Sequence, residues 1–227
     1  MPAGHGVESG RLAVGRSLRK MAHGRVAAMI YACILAMIAG YADTIGYLHF
    51  NAFAGLMTGN TIFLGVEIAT GQFSRALFHT GIIVSFLVGV IMSRGALRHG
   101  GTAPMLLTLT AVLLVVCSFT GKELGALLLA LAMGVQNAAA NRFDGVALNT
   151  VFITGNLQKL GEELVSLIWP PANPTKPGDG ATIYALVWLS YAAGACLGAI
   201  ADRFVTVPLL IPAVVLPFVM FRLRRAG

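Results

Sequence analysis

Residues 56–70 read LMTGNTIFLGVEIAT and residues 151–168 read VFITGNLQKLGEELVSLI. At an offset of 96, Thr58-Gly59-Asn60 meets Thr154-Gly155-Asn156, Leu64-Gly65 meets Leu160-Gly161, and Glu67 meets Glu163. Identities at fixed spacing mark an internal repeat. Upstream the match is looser: Gly40-Tyr41-Ala42-Asp43 answers to Gly134-Val135-Gln136-Asn137, here at an offset of 94, so one connection is longer. Residues 26–121 and 122–221 are therefore read as two membrane repeats, with residues 1–25 as a flexible basic tail and 222–227 as a basic C-terminus.

Each repeated segment is interrupted by Gly, Asn and Glu and lies between much more apolar runs. Val26–Ala42, Ala76–Ser93, Pro104–Thr120, Gly125–Asn141, Ala181–Ala201 and Val205–Phe221 are free of charge. A helix needs roughly 20 apolar residues to cross a hydrocarbon core of about 30 Å, and these runs meet or approach that length. The chain is 57% hydrophobic and 11% charged, against about a quarter charged in soluble domains, so it lacks the polar surface to stay dissolved. Continuous apolar runs exclude the alternating pattern of a barrel. The expected class is an all-α polytopic membrane protein.

The net charge of +7 does not point to nucleic acid, because the Lys and Arg residues sit mainly in tails and connections. Arg11, Arg16, Arg19, Lys20 and Arg25 precede the first run, and Arg222, Arg224 and Arg225 follow the last. The positive-inside rule puts both termini in the cytoplasm, with the N-terminal tail against anionic lipid. The first run exceeds a usual signal-peptide core and lacks a small-residue cleavage site, so it is read as retained.

Two arrangements satisfy an even number of crossings. With six, the Thr-Gly-Asn stretches are re-entrant or broken helices and the halves are inverted copies; Arg94, Arg98, Arg142 and Lys176 are inside and Arg75, Lys122 and Arg203 outside. With eight, the halves are parallel copies and the pair Arg94 and Arg98 falls outside. The first is preferred because it keeps that densest internal basic connection in the cytoplasm.

The chain resembles the YoaK family of bacterial membrane proteins, whose shared domain has no established function. The resemblance runs from about Val26 onwards and rests on Gly40-Tyr41-Ala42-Asp43, Met57-Thr58-Gly59-Asn60, Met133-Gly134-Val135-Gln136-Asn137-Ala138, and Thr150 through Thr154-Gly155-Asn156. It implies a bacterial cytoplasmic membrane location and no mechanism.

Paired interruptions in corresponding positions of two halves are the sequence pointer to a membrane binding site. Thr58 and Thr154 are of the type that caps helices, Gly59 and Gly155 admit close approach, and Asn60 and Asn156 offer donors and an acceptor. The unpaired amides at such helix starts carry the positive end of the dipole. With Asp43 and Asn137, these residues are the candidate binding set for a small polar solute, anions included. The structural alternative is that Thr, Asn and Gly hold packed helices together.

Asn60 and Glu67, seven residues apart, share a helix face, as do Asn156, Lys159 and Glu163. Glu67 and Glu163 are candidates for ion or proton coupling, or else solvated helix ends. Asp43 either marks the end of a crossing or meets Arg142 from the other half. His49 and His79 lack metal-ligand spacing and read as interfacial or packing residues. Gly194 and Gly198 form a close-packing GxxxG; Pro208, Pro212 and Pro217 predict kinks in the last run, and Pro170–Gly180 a polar connector. Cys33, Cys117 and Cys196 show no metal or redox pattern.

No metal or cofactor is expected, and no enzymatic motif is present. The leading expectation is a small transporter in the lipid bilayer, followed by an aquaporin-like channel and by a non-transporting assembly or lipid-binding module. Homo-oligomerisation is left open.

Overall fold

In the computed structural model the backbone is described for residues 5–139, 153–170 and 180–226, and side-chain surroundings for 26–139, 153–170, 180–218 and Met220. Arg142, Lys176 and most of the expected polar connector lie outside the described residues.

The described elements are α1 (His5–Phe50), α2 (Met57–Ala69), α3 (Phe73–Arg98), α4 (Ala103–Ser118), α5 (Lys122–Ala139), α6 (Ile153–Ile168), α7 (Gly180–Phe204) and α8 (Leu210–Ala226). α1 begins at His5, so the stretch expected to be a flexible tail continues the helix instead. That stretch holds five glycines, but it has no proline after Pro2, and its four Arg, three Ala and two Leu are good helix formers.

The other boundaries have local causes. Gly71 and Gly100 follow the ends of α2 and α3 with φ of 74° and 88°, the left-handed position that suits a glycine at a helix end. Pro104 sits in the first turn of α4, where its missing N–H costs nothing. Pro208 precedes α8 and Pro217 lies inside it.

Among the described residues, three helical stretches are long and apolar enough to cross a membrane, Val26–Phe50, Phe73–Arg98 and Gly180–Phe204, and Ala103–Ser118 is a shorter apolar helix. Burial is inverted relative to a water-soluble helix. On α2 the buried residues are Asn60 and Glu67, whereas Ile62, Val66 and Ile68 are more than half exposed. On α6 the pattern is mixed: Ile153 and Asn156 are buried, and Leu157, Leu164 and Val165 face outward beside Gln158 and Glu162. Polar groups turned inward and aliphatic groups outward suit lipid as the solvent.

Glycines set the helix contacts. A Cβ on Gly40 would strike the Tyr191 carbonyl, and one on Gly194 the Met37 carbonyl, so α1 and α7 pack backbone to backbone. Gly198 faces Tyr41 one turn further along both helices. α3 and α5 repeat the arrangement, with Gly89 on the Leu131 carbonyl and Gly134 on the Phe86 carbonyl. Within each pair the chains run the same way: Met37, Tyr41 and His49 meet Gly194, Gly198 and Asp202 in order, and Gly81 and Gly89 meet Leu127 and Leu131. Between α1 and α5 the order reverses: Gln136 Nε2 donates to the Leu35 carbonyl at 3.0 Å, Gly46 faces Leu129, and Gly125 faces Phe50.

Candidate functional site

Asp43 is the centre of the best-defined polar cluster. It lies seven residues before the end of α1 and is 3% exposed, about 10 Å along the axis from Phe50 at 1.5 Å per residue. The Gly55 N–H donates to its Oδ1 at 2.6 Å and the Leu56 N–H to the same oxygen at 3.2 Å. Tyr191 on α7 donates its hydroxyl to Oδ2 at 2.6 Å.

The carboxylate is thus the anion at the start of α2. The N-cap residue is Leu56 and makes no side-chain cap bond, so the expectation that Thr58 caps the helix is corrected: Thr58 is the second helical residue and is exposed. Sequence could not show this, because the capping group comes from a residue 13 positions earlier. The dipole and the free amides that make helix starts attract anions are served here from within the chain.

Asn60 does a different job. Its Oδ1 accepts the Phe53 N–H at 2.9 Å and its Nδ2 donates to the Phe53 carbonyl at 2.8 Å, pairing a side-chain amide with a peptide unit. It is fully buried. Gly59 supports this clamp, because a Cβ there would lie 2.6 Å from the Phe53 ring. Residues 51–56 therefore fold back from the end of α1 to the depth of Asp43, where α2 begins.

The other end of α2 returns to the level of the end of α1. Glu67 Oε2 lies 2.8 Å from His79 Nδ1, and His79 Nε2 lies 3.2 Å from the Asn51 carbonyl. Arg75 Nε is 3.7 Å from Glu67 Oε1. Glu67 is 7% exposed, so it is not a solvated helix end, its alternative reading.

In the second half, Thr154 and Gly155 are exposed in the first turn of α6 and Asn156 is buried. Asn137 and Gln136 stand on α5 and Ser93 on α3; among the described residues, Asn137 Oδ1, Gln136 Oε1 and Ser93 Oγ are buried with no hydrogen-bond partner. Glu163 is half-buried beside Gly180 at the start of α7, and Lys159 Nζ sits 5.6 Å from the centre of the Tyr184 ring. The structure unites Asp43 with the α2 start and Glu67 with His79. It does not bring Thr58 to either cluster.

Sequence reasoning passed over Tyr191 and set His79 aside as an interfacial or packing residue. The GxxxG at Gly194 and Gly198 was a usable signal for Tyr191, since it marks the α7 face that approaches another backbone. Among the described residues no group of His, Cys, Asp and Glu has metal-site geometry. A cleft of about 180 Å³ lies elsewhere, at the ends of α1 and α4, lined by His49, Ser118, Thr120, Lys122 and Thr206 among others; His49 bonds Asp202 beside it.

Apolar spans with outward aliphatic faces and an inward polar layer define an integral membrane protein of bundled helices. Within that class, the chain belongs to the family described as Protein of unknown function (DUF1275), whose model matches residues 31–222. It is 25% identical over 185 residues to the UPF0700 transmembrane protein YoaK of Bacillus subtilis (strain 168), covering 74% of this chain and 81% of that protein. The YoaK-family resemblance is thereby confirmed. No solved structure matches.

Proposed function

We propose that the protein is a small transporter of a polar solute, built from two inverted halves that rock about the layer where Asp43, the α2 start and Tyr191 meet. The observation that carries this is Asp43 itself. A buried carboxylate at membrane depth is costly and marks function by default, and this one joins a broken-helix end in one half to α7 in the other.

The helix contacts support the inverted reading. Met37 and Leu131, like Gly40 and Gly134, are 94 residues apart, and Phe86 and Tyr191, like Gly89 and Gly194, are 105 apart. The α1–α7 and α3–α5 glycine contacts are therefore counterparts, while α1 and α5 meet in opposite order. α2, about 20 Å long at 1.5 Å per residue, is too short to cross and has both ends tied near the end of α1. These contacts support the reading of six crossings and two re-entrant helices, which we place in the bacterial cytoplasmic membrane with both termini inside.

Asp43 already fills the positive end of α2, so a solute arriving there meets a carboxylate and a phenol. This favours solutes that donate hydrogen bonds over anions. The test is a thermal-shift screen of polar solutes on purified protein, repeated on Asp43→Asn, with proteoliposome flux for each hit. Saturable, gradient-coupled uptake lost in the variant supports the proposal; flux linear in concentration supports a channel.

A second reading, a non-transporting membrane module, draws on Asn60, whose amide is engaged by the Phe53 backbone and the Met57 sulfur. It gains if Asp43→Asn lowers stability and alters no flux.

A further inference from the structure

We propose that Glu67 and His79 form a proton-binding site, which holds one exchangeable proton and thereby ties the α2–α3 hairpin to the end of α1. The argument is a count of donors. His79 Nε2 faces the Asn51 carbonyl oxygen at 3.2 Å, and a carbonyl only accepts, so Nε2 bears hydrogen. A ring with its single hydrogen there presents a lone pair at Nδ1. Glu67 Oε2 stands 2.8 Å from that nitrogen, and an ionised carboxylate also offers only lone pairs. The contact is a hydrogen bond only if one further proton lies between them, on Nδ1 or on Oε2. Both forms contain one proton more than a neutral ring beside a carboxylate, and the proton belongs to the pair.

The surroundings hold it in place. His79 is 1% exposed, and its ring lies 5.3 Å from those of Phe63 and Phe78, so water does not stand in for either partner. Of the charged groups facing the pair, Arg75 reaches Glu67 at 3.7 Å from a half-exposed position. α5, packed on α3, carries charge in its first turn alone, at Lys122 and Glu123. From α1 comes the neutral Asn51 carbonyl, and the nearby His49 is engaged with Asp202. Asn51 has a φ of 59°, rare for a residue other than glycine, and it is this residue whose carbonyl His79 engages.

Loss of the proton leaves one ring hydrogen for two acceptors; kept on Nδ1 for Glu67, it leaves Nε2 facing the Asn51 carbonyl lone pair to lone pair, and the α2–α3 hairpin is released from the end of α1. The second half is built differently. Shifted by the same 105 residues, His79 corresponds to Tyr184, and Glu163 lies near it in place of Glu67. In the transport reading this proton is the coupling ion; that role rests on the reading, whereas the site does not.

The test uses the full chain with ¹⁵N-labelled histidine, recording ring-nitrogen shifts and the carboxyl infrared band at neutral pH, with Glu67→Gln for the band difference. His79→Gln assigns the ring; if that variant fails to fold, substitution of His5, His23, His49 and His99 assigns it by elimination. The expected result is either a doubly protonated ring with ionised Glu67 or a singly protonated ring with protonated Glu67. Raising the pH then removes one proton, and amide exchange across residues 51–56 quickens by about tenfold or more as the tie opens. A singly protonated ring beside an ionised Glu67 at neutral pH overturns the proposal, as does proton loss with no change in exchange. Neither readout depends on transport, so the site and the transport reading fail separately.

Discussion

Removing the Tyr191 hydroxyl takes away the single described side-chain bond between Asp43 and the other half, 2.6 Å long and made to a buried carboxylate. Hydrogen bonds to charged groups contribute about 1.5–3 kcal/mol net, so Tyr191→Phe is expected to cost about 2 kcal/mol. Asp43→Asn keeps an oxygen for the Gly55 and Leu56 amides but loses the charge that strengthens all three bonds, a cost of about 1–2 kcal/mol. In the Asp43→Asn background the tyrosine bond is already weak, so Tyr191→Phe should then cost about 0.5–1 kcal/mol, the strength of a neutral bond.

The cycle therefore predicts a coupling of about 1–2 kcal/mol, inside the range for residues in contact. At about 2–4 °C per kcal/mol for a chain of this size, Tyr191→Phe lowers the melting temperature by about 4–8 °C. The assay is thermal unfolding of all four proteins in one detergent. The double variant also reproduces the repeat counterparts of the two residues, Asn137 and Phe86, so it should still fold. Costs that add to within about 0.5 kcal/mol would mean that the two residues are independent and would refute the latch.

The re-entrant loop makes further predictions. Asn60→Ala leaves the Phe53 N–H and carbonyl unpaired and should cost about 2–4 kcal/mol, with faster amide exchange confined at first to residues 51–56. Gly59→Ala pushes a methyl group into the Phe53 ring and should cost about 1–3 kcal/mol. Gly155→Ala meets nothing within 4 Å and should change stability by less than about 0.5 kcal/mol; equal melting points for the two glycine variants would show that the loop packing is misread. Gly194→Leu drives a side chain into the α1 backbone at Met37, and loss of the folded protein on size exclusion is expected, while Gly95→Leu, facing open space, is tolerated.

Much of this arrangement was legible before any coordinates. The seven-residue spacing of Asn60 and Glu67 correctly put both on one face, and the apolar runs gave the long spans. What the sequence concealed were the partners. Asn60 binds backbone atoms of Phe53, which carry no signature of residue type, and Asp43 reaches Tyr191 across 148 positions. The capping of α2 escaped for the same reason, since a nearby threonine satisfies a local rule that a distant carboxylate overrides. His79 carries no signal in the sequence because its partner lies 12 residues away on a different helix, beyond any single-helix periodicity. The counterparts of these contacts near Arg142 lie outside the described residues.

The inversion of the two halves is the central claim, and sidedness tests it most directly. With Cys33, Cys117 and Cys196 replaced by serine, Ser74→Cys and Lys176→Cys are labelled one at a time in intact cells with a membrane-impermeant thiol reagent. Inverted halves put the connection after α2 outside and the connection after α6 inside, so Ser74→Cys reacts at once and Lys176→Cys reacts only after permeabilisation. Reaction of both positions from the same side would contradict the account.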